Sequence, residues 1–173
     1  MNNIEVITAF FEAFERLDYG QMNDLYVDDI IYSDPLFGLL QGPAVKDRWE
    51  LICTSVKDFH LTIFKTEAID GEYATCSWQV DYFSVRLHKQ IVFSAKTFMK
   101  IVDGAITEHS EGYNLTQWIG KAYGLKGRLF GWTNFMKRKV QKEQLQALER
   151  FSKSKNLLLA GKKRRHISDA FDQ

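Results

Sequence analysis

Residues 32–43 read YSDPLFGLLQGP, and this stretch decides how the rest of the chain is interpreted. Pro35 cannot donate a backbone hydrogen bond, so a strand that reaches Asp34 must end there. Gly38 and Gly42 tolerate the backbone conformations that let the chain turn back. Asp34 is surrounded in sequence by aromatic and aliphatic residues. The stretch therefore predicts either an Asx-turn before Pro35 or an acid in an apolar pocket.

Helical segments lie on both sides of this stretch. Apolar residues recur at helical spacing over residues 4–17, and a short second helix is expected to end near Asp28. Residues 30–33 read as a short strand. Pro43 then begins a third helix, because proline is favoured at the first helical position and Gly42 precedes it. We expect three helices before the main run of strands.

From Phe59 onward the apolar residues alternate with a period of two, which is typical of strands. The pairs Asp70-Gly71 and Asp103-Gly104 are strong hairpin signals. A last strand is expected from Ala105 to about Leu115. Strands that follow helices and are joined by hairpins indicate an α+β fold with a curved antiparallel sheet.

Charge divides the chain into two regions. Residues 1–117 contain 9 Lys/Arg and 18 Asp/Glu, whereas residues 118–173 contain 14 Lys/Arg and 4 Asp/Glu. This asymmetry predicts two regions with different surroundings. We expect a folded domain over 1–117, a C-terminal arm and helix packed on it over 118–153, and a basic polar tail over 154–173 that is a candidate for disorder. Within the arm, the glycines predict irregular structure over 118–133, and a helix is expected over 134–153.

The arm has two competing interpretations. Its aromatic and aliphatic residues are too numerous for a free tail, so they either pack on the domain and cover an opening or anchor the chain at an anionic membrane surface. Packing is the preferred interpretation. The residues concerned are Trp118, Leu125, Phe130, Trp132 and Phe135.

Several other classes of protein are not favoured. The sequence has no apolar stretch of the roughly 18 residues that a membrane span needs and no signal peptide at its start, so we expect a cytoplasmic protein. No His/Cys motif predicts a metal, and no glycine-rich phosphate loop predicts a nucleotide. The basic cluster Lys162–Arg165 could contact nucleic acid, but a short basic tail is usually only solvated.

The order of elements and the run VDDIIYSDP, residues 27–35, resemble the nuclear-transport-factor-2-like superfamily and, within it, the SnoaL-like and ketosteroid-isomerase-like group. The resemblance covers residues 3–117. It implies a cone in which a strongly bent antiparallel sheet wraps around three N-terminal helices and leaves an open pocket. It also implies a homodimer, a small apolar ligand and no cofactor. Enzymes and pure binding proteins share this fold, so the resemblance leaves catalysis open.

The resemblance makes Asp34 the counterpart of the isomerase general base. The isomerases also need a tyrosine in the first helix and a protonated aspartate on a strand. The matching positions here hold Phe10 or Phe11 and Lys96. Phenylalanine donates no hydrogen bond, and a lysine would instead neutralise a nearby carboxylate. The chain is therefore not expected to be a typical ketosteroid isomerase.

The last strand supplies the remaining candidates. The resemblance places His109, Glu111 and Tyr113 on the pocket face, although a slip of one residue would reverse that. His109 and Glu111 are two residues apart and so share a face of the strand. We predict that Asp34, Lys96, His109 and Glu111 project into one cavity. His109 would be the acid–base group, with Glu111 or Asp34 as its partner or as a second base and Lys96 stabilising developing negative charge.

The walls of this cavity are expected to include Phe37, Trp49, Trp78 and Tyr113. The first three are more readily interpreted as ordinary core residues than as ligand contacts. A buried salt-bridge network that only shapes the cavity is the alternative to a catalytic site.

Three functions remain open from the sequence. The first is a cofactor-independent isomerase, cyclase or hydrolase that acts on an apolar, oxygen-bearing molecule. The second is a non-catalytic module that binds a small ligand in the same cone. The third is an interaction protein whose basic C-terminal segment docks on an acidic surface. We also expect a homodimer that buries an apolar outer sheet face carrying Ile91, Phe93 and Met99.

Overall fold

Six strands form one curled sheet that does not close on itself, in a computed structural model that describes residues 1–171 and the side chains of residues 1–160. The order of the strands is β2-β1-β6-β5-β4-β3. Their bounds are β1 Tyr26–Asp34, β2 Gly38–Gln41, β3 Val56–Ala68, β4 Tyr73–Ser84, β5 Lys89–Val102 and β6 Ala105–Tyr113. The predicted α+β class is confirmed.

The pairing of β1 with β6 is parallel, whereas all other neighbouring strands are antiparallel. The sequence predicted an antiparallel sheet throughout, and this one pair departs from it. The physical reason is that no hairpin joins β1 to β6, so no tight turn imposes an antiparallel direction. β2 was not predicted as a strand. It forms because the turn after Asp34 brings Gly38 opposite Asp34 in register.

Three N-terminal helices pack on the inner face of the sheet: α1 Asn3–Glu15, α2 Tyr19–Asp24 and α3 Pro43–Ser55. The first helix begins with a capping box between Asn2 and Glu5. Gly42 adopts a φ of 56° immediately before Pro43, a conformation that favours glycine. These turns set α3 beside the end of β1.

Three further helices follow the sheet: α4 Leu115–Ala122, α5 Gly124–Phe130 and α6 Asn134–Phe171. The sequence predicted irregular structure over 118–133, and that is wrong. The glycines instead permit close packing, because a Cβ on Gly127 would overlap the carbonyl oxygen of Ile119 in α4. The start of α4 at Leu115 also precedes the predicted boundary at residue 117.

The last helix is longer than the predicted 134–153 segment, since residues 154–160 continue it. The rest of the predicted tail, including the basic cluster 162–165, lies outside the residues whose side chains are described. No helix in the described part of the chain is long and apolar enough to cross a membrane.

Two apolar clusters hold the molecule together. The first lies between α1, α3 and the sheet, and the second joins Leu36 and Phe37 to residues of α4 and α6. Trp118, Ile119 and Val140 are each at most 4% exposed in the second cluster. The arm thus contacts the domain along the turn that follows Asp34.

Ile91 and Met99 are fully buried, and Phe93 packs against both clusters. The prediction that these three residues form an exposed outer face is therefore wrong. They share the inner face of β5, because alternate residues of a strand point the same way. An exposed apolar face at these residues therefore no longer supports dimerisation, which stays a prediction from the family resemblance alone.

Candidate functional site

The register of β5 and β6 decides which side chains enter the interior. Met99 pairs with His109, and Thr97 pairs with Glu111. Residues directly opposite each other on paired strands project from the same face of the sheet. Met99 and Thr97 are fully buried, and His109 is 1% exposed and Glu111 7%. His109 and Glu111 therefore both project inward, on the face turned towards the helices.

Lys96 lies on the opposite face of the sheet. It pairs with Gly112 rather than with Glu111, and its side chain is exposed. Its ammonium lies 5.1 Å from the centre of the Phe98 ring. The prediction that Lys96 enters the cavity is wrong by one residue of strand register, which is enough to reverse the face.

Arg48 of α3 supplies the buried positive charge instead. Its Nη2 lies 2.8 Å from Asp34 Oδ2 and 3.3 Å from Glu111 Oε2. The guanidinium also lies over the rings of Tyr32 and Trp49, at 4.1 and 4.2 Å from their centres. Burial alone would lower the pKa of Arg48, but Tyr32, Asp34 and Glu111 together hold it above its ordinary value. The guanidinium is thus permanently charged.

Asp34 combines the two arrangements that the sequence allowed. Its Oδ1 accepts hydrogen bonds from the backbone N–H groups of Leu36 and Phe37, at 2.8 and 2.5 Å, which makes it the Asx-turn residue before Pro35. Its Oδ2 accepts from Arg48 in the interior. The carboxylate is 0% exposed, and both of its oxygens are partnered. This acid therefore fixes the turn and positions Arg48 at the same time.

The hydroxyl of Tyr32 lies between the two carboxylates, 2.8 Å from Asp34 Oδ2 and 2.9 Å from Glu111 Oε2. One hydroxyl carries one proton, so Tyr32 donates to one carboxylate at a time. Arg48 contacts the same two oxygens. Tyr32 and Arg48 thus hold two acidic groups close together in a site where their charges would otherwise repel each other.

His109 lies within a chain of hydrogen bonds. Trp49 Nε1 donates to the hydroxyl of Tyr26 over 2.9 Å, and that hydroxyl lies 2.6 Å from His109 Nδ1. His109 Nε2 lies 3.4 Å from Glu111 Oε1, and a carboxylate can only accept, so the proton of the neutral imidazole is on Nε2. Nδ1 is then the acceptor, and the hydroxyl of Tyr26 donates to it while accepting from the indole of Trp49.

Both members of this pair have lowered pKa values. Burial lowers the pKa of His109 below 6.5, and although Glu111 raises it, the net direction is down. Burial alone would raise the pKa of Glu111, but Arg48, His109 and Tyr32 outweigh burial and lower it below 4.5. At neutral pH the site holds a neutral imidazole beside a carboxylate.

A cavity of about 100 Å³ lies against this network. Asp34, Arg48 and Glu111 border it, whereas His109 lies behind Glu111 and does not. The side chains expected to form its walls all border it, and their role in binding stays a prediction. They are Phe37, Trp49, Trp78 and Tyr113.

The arm contributes to the same cavity, because Trp118 of α4 and Gln144 of α6 border it. Gln144 accepts a hydrogen bond from Arg86, and Gln141 donates to the carbonyl oxygen of Pro35 over 2.9 Å. These polar contacts fix α6 over the turn that carries Asp34. The arm is therefore part of the cavity wall.

Some of the site residues that were not predicted could have been found from their position in the sequence, and others could not. Arg48 is three residues after Val45 and four before Ile52, so it lies on the apolar stripe of α3, an unusual place for a charge. Tyr32 is two residues before Asp34 and shares its strand face. Gln144 had no signal of this kind, because it lies in a helix rich in polar residues.

The described side chains include no group of three or more His, Cys, Asp or Glu that could hold a metal ion. The charged atoms at the cavity are instead paired with one another through Arg48. These paired groups can transfer protons and stabilise charge through hydrogen bonds.

Several solved structures share the fold of this chain. A ketosteroid-isomerase-like protein from Catenulispora acidiphila, in complex with trimethylamine, is 18% identical with a TM-score of 0.62, covering 77% of this chain and 99% of its own. An LEH-like epoxide hydrolase from M. tuberculosis is 18% identical with a TM-score of 0.59, covering 73% and 91%. A putative polyketide cyclase from Pseudomonas putida is 20% identical with a TM-score of 0.59, covering 70% and 98%.

A search of curated proteins finds no match. The model of the SnoaL-like domain matches residues 7–109, which is more than half of the chain. This range includes most of α1, the Asp34 turn, Arg48 and the strands up to His109. The chain belongs to the SnoaL-like domain family.

Proposed function

We propose that this protein binds a small, mainly apolar molecule with an oxygen function in the cavity and acts on it by general acid–base chemistry. The observation that supports this proposal is a set of buried polar atoms at the cavity with no hydrogen-bond partner among the described residues. They are Arg48 Nε and Nη1, Gln144 Nε2, and Glu111 Oε1, which lies 3.4 Å from His109 Nε2 without forming a hydrogen bond to it. Buried polar groups in native proteins are almost always hydrogen-bonded, so these atoms call for a partner from outside the chain.

The hydrogen-bonding types of these atoms indicate which functional groups the ligand carries. Arg48 and Gln144 offer donors, which suit a carbonyl, ether or epoxide oxygen. Glu111 offers an acceptor, which suits an acidic C–H, a hydroxyl or a water molecule. The rest of the wall is aromatic and aliphatic, so the remainder of the ligand is apolar. The volume of about 100 Å³ favours a compact molecule.

Within this proposal Glu111 is the general base and Arg48 stabilises the oxygen that becomes negative. Asp34 is a poorer base because both of its oxygens already accept hydrogen bonds. Its role is to position Arg48. His109 is a positioning residue as well, since its Nε2–H faces Glu111 Oε1 from behind and not from the cavity.

Two reaction classes fit these roles. An isomerase or cyclase would begin with removal of a proton next to a carbonyl group, and a hydrolase would begin with removal of a proton from an attacking water. Structural neighbours named as a putative polyketide cyclase and an epoxide hydrolase represent both classes, although likeness at their level of identity carries only the fold. In either class the base and the oxygen stabiliser are the same residues.

Non-catalytic binding is the second candidate. It is supported by the lowered pKa of Glu111, because a carboxylate that is stabilised as an anion is a weaker base. In this version Arg48, Glu111 and Gln144 only recognise the polar end of a ligand.

A panel of small probes separates these functions. Acetophenone in D₂O reports proton removal next to a carbonyl through deuterium exchange, and styrene oxide reports hydrolysis through formation of the diol. Saturation-transfer NMR measures the binding of both compounds. Binding with exchange or diol formation supports catalysis, and binding alone supports the second candidate. Absence of binding by any apolar, oxygen-bearing probe of this size contradicts the proposal.

A further inference from the structure

A group of large apolar side chains is exposed where α5 meets α6. None of these side chains borders the cavity. Five of them lie within eleven residues, and each is at least 56% exposed. Scattered exposed leucines are ordinary in soluble proteins, but a contiguous group of this size marks an interaction surface. We call this group the α5–α6 corner, defined by Leu125, Leu129, Phe130, Trp132 and Phe135.

The packing of α5 directs this corner away from the rest of the protein. Gly127 contacts Ile119 of α4 so closely that no side chain fits between the two helices. Leu125 and Leu129 are each two positions from Gly127, which places them roughly 200° around the helix from that contact. The two leucines therefore point outward as a consequence of the helix crossing.

Three hydrogen-bond donors of the corner bond to carbonyl oxygens within the corner. Trp132 Nε1 donates to the carbonyl oxygen of Leu129 over 3.0 Å. The backbone N–H and the hydroxyl of Thr133 both donate to the carbonyl oxygen of Phe130, over 2.9 and 2.7 Å. Entry into an apolar medium requires such internal pairing, because unpaired polar groups are costly there. These three donors can thus leave water without losing a hydrogen bond.

The net positive charge of this part of the chain indicates that the corner binds an anionic surface. From Gly112 to Lys142 the sequence contains seven Lys/Arg and no Asp/Glu. Basic residues that border exposed Trp, Phe and Leu are typical of segments that lie in the interface of anionic membranes. A second copy of the chain fits less well, because two such surfaces facing each other would bring like charges together.

We propose that the α5–α6 corner docks this protein on an anionic lipid surface, with the apolar side chains inserted to the depth of the headgroups and the basic residues bound to lipid phosphates. The association is peripheral. It is independent of the acid–base chemistry proposed for the cavity.

Flotation of the full-length protein with vesicles tests this proposal. With vesicles of phosphatidylcholine and phosphatidylglycerol the native protein should float, and with phosphatidylcholine alone it should not. Raising NaCl from about 0.1 to 0.5 M should weaken binding, because screening shortens the reach of the charges. Failure to float with the anionic vesicles at low salt overturns the proposal.

Matched variants assign the effect to the corner. Trp132→Ser with Phe135→Ser should weaken binding at least about tenfold, since both rings would insert. Phe64→Ser, which changes a ring that is 61% exposed on β3, should have no effect. A triple variant of the basic residues near the corner should weaken binding: Lys126→Gln, Arg138→Gln and Lys139→Gln. A control triple variant of exposed strand residues should not weaken it: Lys57→Gln, Lys89→Gln and Lys96→Gln. Equal effects of the corner and control variants overturn the proposal.

Fluorescence gives a second, site-specific measurement. Of the four tryptophans, Trp132 is 68% exposed, whereas Trp49, Trp78 and Trp118 are at most 4% exposed. Lipids brominated near the headgroup should therefore quench Trp132 selectively, and Trp132→Phe should abolish the quenching. Concentration-dependent dimerisation that Trp132→Ser abolishes, without quenching by lipid, would assign the corner to a second copy and overturn the proposal.

Discussion

The guanidinium of Arg48 lies 2.8 Å from the carboxylate of Asp34, and the two side chains are only 4% and 0% exposed. This ion pair links the middle of α3 to the residue that ends β1. A buried ion pair has lost most of its hydration, so each charge depends on its partner. The pair therefore serves the fold as well as the cavity, and its removal should affect both.

Replacing Arg48 with Met should destabilise the protein by about 3–5 kcal/mol, because it leaves Asp34 and Glu111 buried without their cation. The matched control is Lys46→Met in the same helix, which removes an ion pair with Asp28 on the surface. That change should cost about 0–1 kcal/mol. Denaturant unfolding followed by circular dichroism measures both, and equal losses would mean that the Arg48 network is not a buried ionic unit.

His109 should give the protein a pH dependence between pH 7 and 5.5. Its pKa is lowered below 6.5 in the folded state, so as pH falls the unfolded chain binds a proton that the folded protein does not. The free energy of unfolding should therefore fall, by at most about 1.4 kcal/mol per pH unit from this group. Glu111 adds little in this window, because its stabilising contribution is lost only below about pH 4.5.

His109→Gln should flatten this dependence, and His60→Gln, which changes an exposed histidine, should leave it unchanged. Urea unfolding at pH 7 and 5.5 gives the two slopes. If His109→Gln shows the same slope as the native protein, the neutral buried imidazole described above is wrong.

The crossing of α4 and α5 should tolerate no side chain at Gly127. An added Cβ would overlap the carbonyl oxygen of Ile119, so Gly127→Ala should destabilise the protein by about 1–3 kcal/mol. Gly71→Ala is the control, since nothing lies within 4 Å of the added carbon there. Thermal unfolding distinguishes the two. A harmless Gly127→Ala would mean that α5 is not fixed against α4.

The Asp34 turn, the strand order after α3 and the shared strand face of His109 and Glu111 were accessible from sequence, because each depends on local rules, whereas the inward direction of that face came from the family resemblance. Pro35 ends a strand, glycine marks a turn, and residues two apart share a face. His109 and Glu111 were therefore found together. The parallel pairing of β1 with β6 was not accessible, since it depends on contacts between distant parts of the chain.

Lys96 and Arg48 mark the limit of sequence reasoning within the site. A buried cation was expected beside the carboxylates, but its identity depended on a strand register that sequence could not fix to one residue. The structure places Lys96 outside and Arg48 inside. Gln144 was out of reach for a different reason, because its approach to the cavity requires the path of α6 across the domain.

Glu111 is proposed to act as a base on a ligand held in the cavity. Glu108→Gln is its matched control, since Glu108 lies on the same strand but is exposed. The most direct test compares turnover by native protein, Glu111→Gln and Glu108→Gln on whichever of acetophenone and styrene oxide is converted. Glu111→Gln should still bind the probe but lose about 10²-fold or more in turnover, and Glu108→Gln should match the native protein. Full turnover by Glu111→Gln, or binding without conversion by the native protein, would contradict the claim.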